Sequence, residues 1–232
     1  MIAENIQNIE ENLKKTCLSA GRNPDDVKLI VVSKTFGTEK IVEAFEAGVV
    51  DFGENYVQEL TEKRDALFGK NIHWHFIGHL QTNKVKYIAD WIHLTHSVDS
   101  ETLGAEIQKR AEKCKRTIDV LVEVNTSEEA TKFGVKPEKA IELLKTVSGF
   151  THVNLMGLMT IGPFTENKDE SRASFKKLRS IFEEANHSGY LKHPLSILSM
   201  GMSHDFETAI EEGSTMVRIG TAIFGSRTKQ LQ

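Results

Sequence analysis

Lys34 is the side chain best placed for chemistry. With Ser33 it closes the apolar run Leu29-Ile30-Val31-Val32, which is short, rich in β-branched residues and reads as a buried strand. Phe36-Gly37 then turns the chain, Thr38 is the expected N-cap, and Glu39 falls in the first turn of a helix. Lys34 therefore stands at the carboxyl end of a strand that feeds a helix, the edge at which α/β folds bind ligands. Partial desolvation there lowers an ammonium's pKa and frees the amine as a nucleophile of the Schiff-base kind. A lysine snorkelling from the strand edge to water fits the same stretch.

Two later stretches offer groups that could meet such a ligand. Ser199-Met200-Gly201-Met202-Ser203 follows the run Leu195-Ser196-Ile197-Leu198. Gly201 lets a backbone approach a ligand closely. Ser203 is expected to cap a helix starting near residue 204, whose open N–H groups would favour an anion. In Val217-Arg218-Ile219-Gly220-Thr221, Arg218 points away from the face shared by Val217 and Ile219. That face would be the lumen if the strands close a barrel. Gly220 and Thr221 add donors suited to a phosphate. An arginine beside a pyridine nitrogen would keep it unprotonated and weaken the ring as an electron sink. Asn55, at the end of the second strand, could hydrogen-bond a ring substituent. The plain alternatives are a serine N-cap on a glycine turn and a surface arginine in a salt bridge.

His73, His75 and His79 raise a metal-dependent hydrolase as a further possibility. Such a site needs more His or Asp ligands from other strand ends, and none converge in the sequence. Structural histidines are the expectation, with His93 and His96 on opposite faces of their strand. Lys132, in the loop after the fifth strand, is an exposed lysine or a ligand-edge contact. The charge run from Lys109 to Arg116 reads as a solvated helix face.

The elements that must position these groups alternate regularly. Ile2, Ile6, Ile9, Leu13 and Cys17 share one face of an amphipathic helix over residues 2–20. Strands are expected at 28–33, 50–54, 73–78, 91–96, 118–124, 153–159, 195–199 and 215–219. Helices are expected at 39–47, 56–67, 82–89, 100–114, 137–148, 168–187 and 204–212. Strand signals separated by helical ones, with no hairpin turns, predict an α/β fold of parallel units, and eight units is the count that closes a (β/α)8 TIM barrel. An open doubly wound sheet would carry a Gly-rich phosphate turn after its first strand, and Ser33 to Gly37 is not one. With no Pro-, Gly- or Ser-rich linker, residues 1–232 are expected to form a single domain, with 1–22 as an N-terminal packing helix.

Strand ends of this barrel would present Lys34, Asn55, His79, Ser97, Asn125, Thr160, Ser199 to Ser203, and Arg218 with Gly220. They include no carboxylate pair, which argues against glycosidase chemistry; Glu54 should point away from Asn55.

Composition excludes several classes. The chain is 39% hydrophobic and 27% charged, with a formal net charge of -4. That permits a full core and leaves no basic footprint for nucleic acid. The longest apolar stretch, Val153 to Ile161, is too short to span a bilayer. Cys17 and Cys114 make neither a metal motif nor a disulfide framework, and no signal peptide opens the sequence. A cytoplasmic protein with reduced thiols is expected.

Seven motifs in register then identify a resemblance. They are Val-Ser-Lys-Thr at 32–35, Phe-Gly-Glu-Asn-Tyr-Val-Gln-Glu at 52–59, Trp-His-Phe-Ile-Gly-His-Leu-Gln-Thr-Asn-Lys at 74–84, His-Ser-Val-Asp at 96–99, Gly-Leu-Met-Thr-Ile at 157–161, Leu-Ser-Met-Gly-Met-Ser at 198–203, and Val-Arg-Ile-Gly-Thr-Ala-Ile-Phe-Gly at 217–225. From about residue 28 to residue 227 the chain resembles the pyridoxal phosphate homeostasis proteins (YggS/PROSC type). The resemblance implies a barrel of the alanine racemase N-terminal-domain type and covalent pyridoxal 5′-phosphate (PLP). Lys34 would form the Schiff base, Ser203, Gly220 and Thr221 would hold the phosphate, Arg218 would face the pyridine, and Asn55 and Met200 would line the pocket.

The implied function is intracellular PLP (vitamin B6) and amino-acid homeostasis. The protein would buffer the cofactor or deliver it to PLP-dependent apo-enzymes, without established catalysis. Related racemases use a second base, a tyrosine from a C-terminal β-domain of the partner subunit. This sequence ends at Gln232 after the eighth unit, and Tyr56, Tyr87 and Tyr190 sit in or beside expected helices. A non-catalytic monomer is therefore expected. The alternatives are a PLP-dependent racemase-like enzyme, with His79 or a substrate group as the missing base, and the metal-dependent hydrolase.

Overall fold

Strands that read as unbroken apolar runs have to be covered on both faces, and a sheet closed on itself inside a ring of helices does this. The computed structural model describes residues 1–127, 129 and 132–225. The strands are β1 (Lys28–Val32), β2 (Asp51–Glu54), β3 (His73–Phe76), β4 (Leu94–Val98), β5 (Ile118–Glu123), β6 (Val153–Met159), β7 (Ile197–Ser199) and β8 (Met216–Ile219). They pair in sequence order, all parallel, and β8 closes on β1 through Lys28↔Met216 to Val31↔Ile219. The expected (β/α)8 barrel is the fold observed.

Seven of the helices are α1 (Ile2–Ser19), α2 (Thr38–Glu46), α3 (Val57–Ala66), α4 (Glu101–Lys113), α5 (Pro137–Gly149), α6 (Lys168–His187) and α7 (Phe206–Glu211); the short α8 (Thr221–Phe224) follows β8. The apolar face of α1 is buried as its spacing requires. It packs on α2, α7 and α8, and Asn5 Nδ2 donates to the Ile223 carbonyl at 2.8 Å.

Strand alternation divides the interior. Val31, Phe52, Phe76, Val120, Val122, Leu198, Val217 and Ile219 point outward into one continuous apolar layer shared with the helices. Ile30, Leu94, Leu121, Met159 and Met216 form a smaller cluster in the lumen. Each outward aromatic or aliphatic side chain contributes about 1.5–3 kcal/mol by burial, as an upper estimate.

Several boundaries differ from the sequence reading. Residues 82–89 were expected to be helical; the segment is a 3-10 turn at Thr82–Tyr87. Trp91 and Ile92 still donate to the Ile88 carbonyl, so β4 starts at Leu94 and runs to Val98 rather than over 91–96. β3 ends at Phe76, before the expected Gly78. Thr38 is the first residue of α2, and Gly37 holds the cap position. Helix α7 begins at Phe206 with Asp205 before it, so Ser203 does not cap it. Residues 226 and 227, the end of the motif resemblance, lie outside the described residues, as does the rest of the expected domain to 232.

Candidate functional site

The backbone on both sides of Lys34 is held from behind. Ser33 Oγ donates to Glu54 Oε1 at 2.6 Å. From α3, the Lys63 ammonium donates to the Ser33 carbonyl at 2.8 Å, to Glu54 Oε1 at 2.7 Å and to Glu59 Oε1 at 2.6 Å. Glu59 in turn accepts the Thr35 N–H. Thr35 is left-handed at φ 69°, an unfavourable state for a β-branched residue that persists only where surroundings over-determine it. Glu54 is fully buried and Lys63 only 5% exposed. Burial raises the Glu54 pKa, and Lys63 opposes that shift. Lys34, half-buried, lies between the two clamped residues and continues the inward register of Ile30. Glu54 and Asn55 diverge as alternation requires.

Arg218 is buried in the lumen, as its alternation with Val217 and Ile219 predicts. Its Nη1 donates to Ser199 Oγ at 2.6 Å and its Nη2 to the Thr160 carbonyl at 2.8 Å. Burial lowers its pKa to about 10, against the pull of Glu123 and Asp205. Glu123, 4% exposed at the end of β5, is pushed up to about 7 by burial and by Asp99, with Arg218 opposing. A cavity of about 760 Å³ opens beside it, lined by Asn55, Tyr56, Gly78, His79 and Phe133 among others. Asn55 Oδ1 is buried there with no hydrogen-bond partner. Neither Lys34 nor Arg218 lines this cavity; Glu123 links it electrostatically to Arg218.

The loops after β7 and β8 meet at the same barrel end. A Cβ at Gly220 would lie 3.0 Å from the Val32 carbonyl oxygen, and one at Gly201 (φ +95°) would lie 2.6 Å from Ala209 Cβ. Gly201 therefore requires glycine, and the close contact at Gly220 brings that turn against the end of β1. Ser203 Oγ, instead of capping α7, accepts from Thr221 Oγ1 at 3.1 Å and from the Ala222 N–H at 3.5 Å. Ser203, Gly220 and Thr221 are thus brought together beside β1. Met200 is fully buried in the apolar layer between strands and helices, and its backbone is engaged within the barrel: its N–H donates to the Met216 carbonyl at 3.1 Å and its carbonyl accepts from Ser214 Oγ at 2.7 Å.

The histidines depart from the sequence reading. His93 and His96, expected on opposite faces, both meet His75: the His93 ring lies 5.2 Å from it, and His96 Nε2 lies 3.0 Å from its Nδ1. The cause is the later start of β4, which leaves His93 ahead of the strand. At the amino end of the barrel His73 and His75 share Asp51 Oδ1 at 3.2 and 2.9 Å. Ligand atoms of Asp51, His75 and His93 lie within 4.8 Å of one another, and the Lys28 ammonium lies 3.5 Å from the same carboxylate. His79 pairs with Asp99 at 3.4 Å and stacks on Phe133 at the cavity edge. Lys132 binds Glu129 and the Gly162 carbonyl, and Asn125 braces that loop through the carbonyls of Glu129 and Lys132.

The sequence reading missed Lys63, Glu123 and Asp51. Lys63 sits among exposed helix charges, and nothing local marks it as buried. Glu123 had a signal: two residues past the inward Leu121, period-two alternation aims it into the lumen.

Comparison with known proteins agrees with this geometry. The model of the alanine racemase N-terminal domain matches residues 5–228. A pyridoxal phosphate homeostasis protein of Aquifex aeolicus is 47% identical over 224 residues, 97% of each chain. A solved structure of an unknown protein from Bifidobacterium adolescentis superposes with a TM-score of 0.91 at 34% identity, covering 96% of this chain and 94% of that one. PipY of Synechococcus elongatus, solved with PLP bound, gives 0.84 at 32% identity over 97% of this chain and 100% of its own. Fold, motif order and full-length identity converge, and the chain belongs to the pyridoxal phosphate homeostasis protein family.

Proposed function

We propose that this protein binds PLP as a Schiff base on Lys34 and takes part in PLP homeostasis by buffering the cofactor or delivering it, without turning over an amino acid. The observation that carries the reading is the clamp on Ser33 and Thr35, which uses a buried lysine and two glutamates to fix the backbone around one lysine. So much buried charge is costly and is expected where geometry matters. The amine would add to the cofactor's aldehyde carbon and water would leave; the bound group would supply an electron-withdrawing ring.

The residues present fit that group. Arg218 offers a cation for the pyridine side. Ser203 and Thr221 offer hydroxyls, and Gly220 a close backbone approach, for the phosphate. Asn55 Oδ1, buried and unpartnered, is a polar atom that a bound ring substituent would satisfy. PipY, solved with PLP, and the homeostasis protein of Aquifex aeolicus support the assignment. Among the described residues no helix is long and apolar enough to cross a membrane. A cytoplasmic single-domain monomer that hands PLP to apo-enzymes completes the proposal.

Glu123 favours one second reading, a PLP-dependent racemase-like enzyme. A carboxyl with a pKa near 7 at the cavity can hold or give up a proton at working pH.

The test is an absorption spectrum of the purified protein, then borohydride reduction and peptide mapping. A yellow protein with a pyridoxyl group on Lys34 supports the proposal. A protein that takes up no added PLP removes it. Turnover of an amino acid above the rate of free PLP would favour the racemase reading.

A further inference from the structure

A line of buried polar side chains crosses the barrel interior from its amino end to Arg218. Asp51 Oδ1 lies 2.9 Å from His75 Nε2, His75 Nδ1 lies 3.0 Å from His96 Nε2, and His96 Nδ1 lies 3.0 Å from Ser199 Oγ. Ser199 Oγ accepts from Arg218 Nη1 at 2.6 Å. All five residues are buried, and they come from β2, β3, β4, β7 and β8.

We propose that Asp51, His75, His96 and Ser199 form a one-directional hydrogen-bond relay that fixes the orientation of Arg218 toward the cofactor, making His75 and His96 positioning residues for a site on the other side of the lumen. This rests on the PLP reading given above.

The direction follows from the chemistry of the two ends. A guanidinium can only donate and a carboxylate can only accept. A neutral imidazole has one donor and one acceptor, and a hydroxyl has one proton to give. His75 must therefore present Nε2–H to Asp51, which leaves its Nδ1 as an acceptor. His96 must donate from Nε2 to that nitrogen, leaving its own Nδ1 to accept the Ser199 hydroxyl proton. The Ser199 lone pairs then face Arg218. With both imidazoles neutral, no other assignment satisfies every link. Burial lowers the pKa of both rings, and Arg218 adds to the shift at His96, in keeping with that neutrality.

The relay is not needed to fill the barrel. Ile30, Leu94, Leu121, Met159 and Met216 fill the adjoining lumen with apolar atoms, and replacing a buried polar network by well-packed hydrophobic residues is often neutral or stabilising. What the polar line adds is a fixed proton on each atom. If His96 stops accepting, the Ser199 hydroxyl is free to rotate and Arg218 loses a defined partner on one arm. The Thr160 carbonyl alone then holds the guanidinium. At its far end the relay is anchored by Asp51, which Lys28 and His73 also face.

Two measurements test this. The first uses the unaltered protein without added ligand: ¹⁵N shifts of the imidazole nitrogens near neutral pH. The expected result is a proton on Nε2 and a bare Nδ1 in both His75 and His96. A proton on Nδ1 of either ring, or a doubly protonated ring, overturns the relay. The second compares PLP affinity and absorption maximum in the parent, His96→Leu and His96→Gln. His96→Leu should bind PLP about tenfold more weakly, the size of one lost hydrogen bond to a charged group, with a displaced maximum. His96→Gln keeps a donor and an acceptor and should recover most of both. Parent-like affinity and spectrum in a folded His96→Leu protein overturn the proposal. If that variant does not fold, the imidazole tautomers decide. A parent protein that takes up no PLP overturns the proposed function, while the tautomers still decide whether the relay exists.

Discussion

The two faces of the same eight strands are built from opposite materials. Outward, Val31, Phe52, Phe76 and Val217 join a single apolar layer with the helices. Inward, Asp51, His75, His96, Glu123, Ser199 and Arg218 are buried together, around a small apolar cluster. The outer face is made of groups that lose nothing by leaving water. The inner face is made of groups that are costly to bury unless each finds a partner. A period-two strand lets one residue serve stability and its neighbour serve chemistry, with little interference between them.

Substitutions on the two faces should separate in size and in kind. Phe52→Ala, on the outward face of β2, should cost about 3–5 kcal/mol of folding free energy, measured by urea unfolding, while the folded protein still captures PLP. A loss below 1 kcal/mol would mean the outer layer is not where stability resides. Lys63→Ala comes next, at about 3 kcal/mol, because it leaves the buried Glu54 carboxylate unpaired. It should also slow Schiff-base formation at Lys34, read by stopped-flow absorbance. Unchanged kinetics would show that the clamp does not control the lysine.

Glu123→Gln should act in the other direction. Glu123 keeps its proton in the fold up to a pH of about 7, whereas the unfolded carboxyl loses it near 4.5. The unfolded chain therefore binds fewer protons between those values, and folding stability falls as pH rises through them. The glutamine variant removes this dependence. It should exceed the parent by on the order of 2 kcal/mol at pH 8 and lose that advantage near pH 4, in parallel urea titrations. A gap that stays constant with pH would show that Glu123 does not titrate in that range. Smallest is Lys34→Ala. It should change folding stability by about 0.5 kcal/mol or less while abolishing the borohydride-trapped adduct, and a collapse of the fold would make Lys34 structural.

Much of this was legible in the chain. The apolar run before Lys34, the alternation around Arg218 and the glycines at 201 and 220 all report local backbone geometry, and each placed its residues at the carboxyl end of the barrel strands, where the structure has them. The spacing of Ile2, Ile6, Ile9, Leu13 and Cys17 likewise gave the buried face of α1, and the helix expected at 168–187 is α6. Ser203 misled because a serine ahead of a helix reads as its cap; its partners come from the next turn, 18 and 19 positions on. His93 misled because the 3-10 segment before it delays β4. Lys63 was invisible because helical periodicity does not say which charged residue will be covered by a neighbouring loop.

By itself the sequence determined the period, the order and the facing of the elements, since these depend on contacts within a few residues and on steric preferences of the backbone. Only the tertiary structure decided which inward groups meet. His96 and Ser199 are 103 positions apart and His75 and His96 are 21, and they bond because barrel closure fixes the stagger of one strand against the next. That stagger is a property of the closed sheet as a whole, so a single strand carries no record of it.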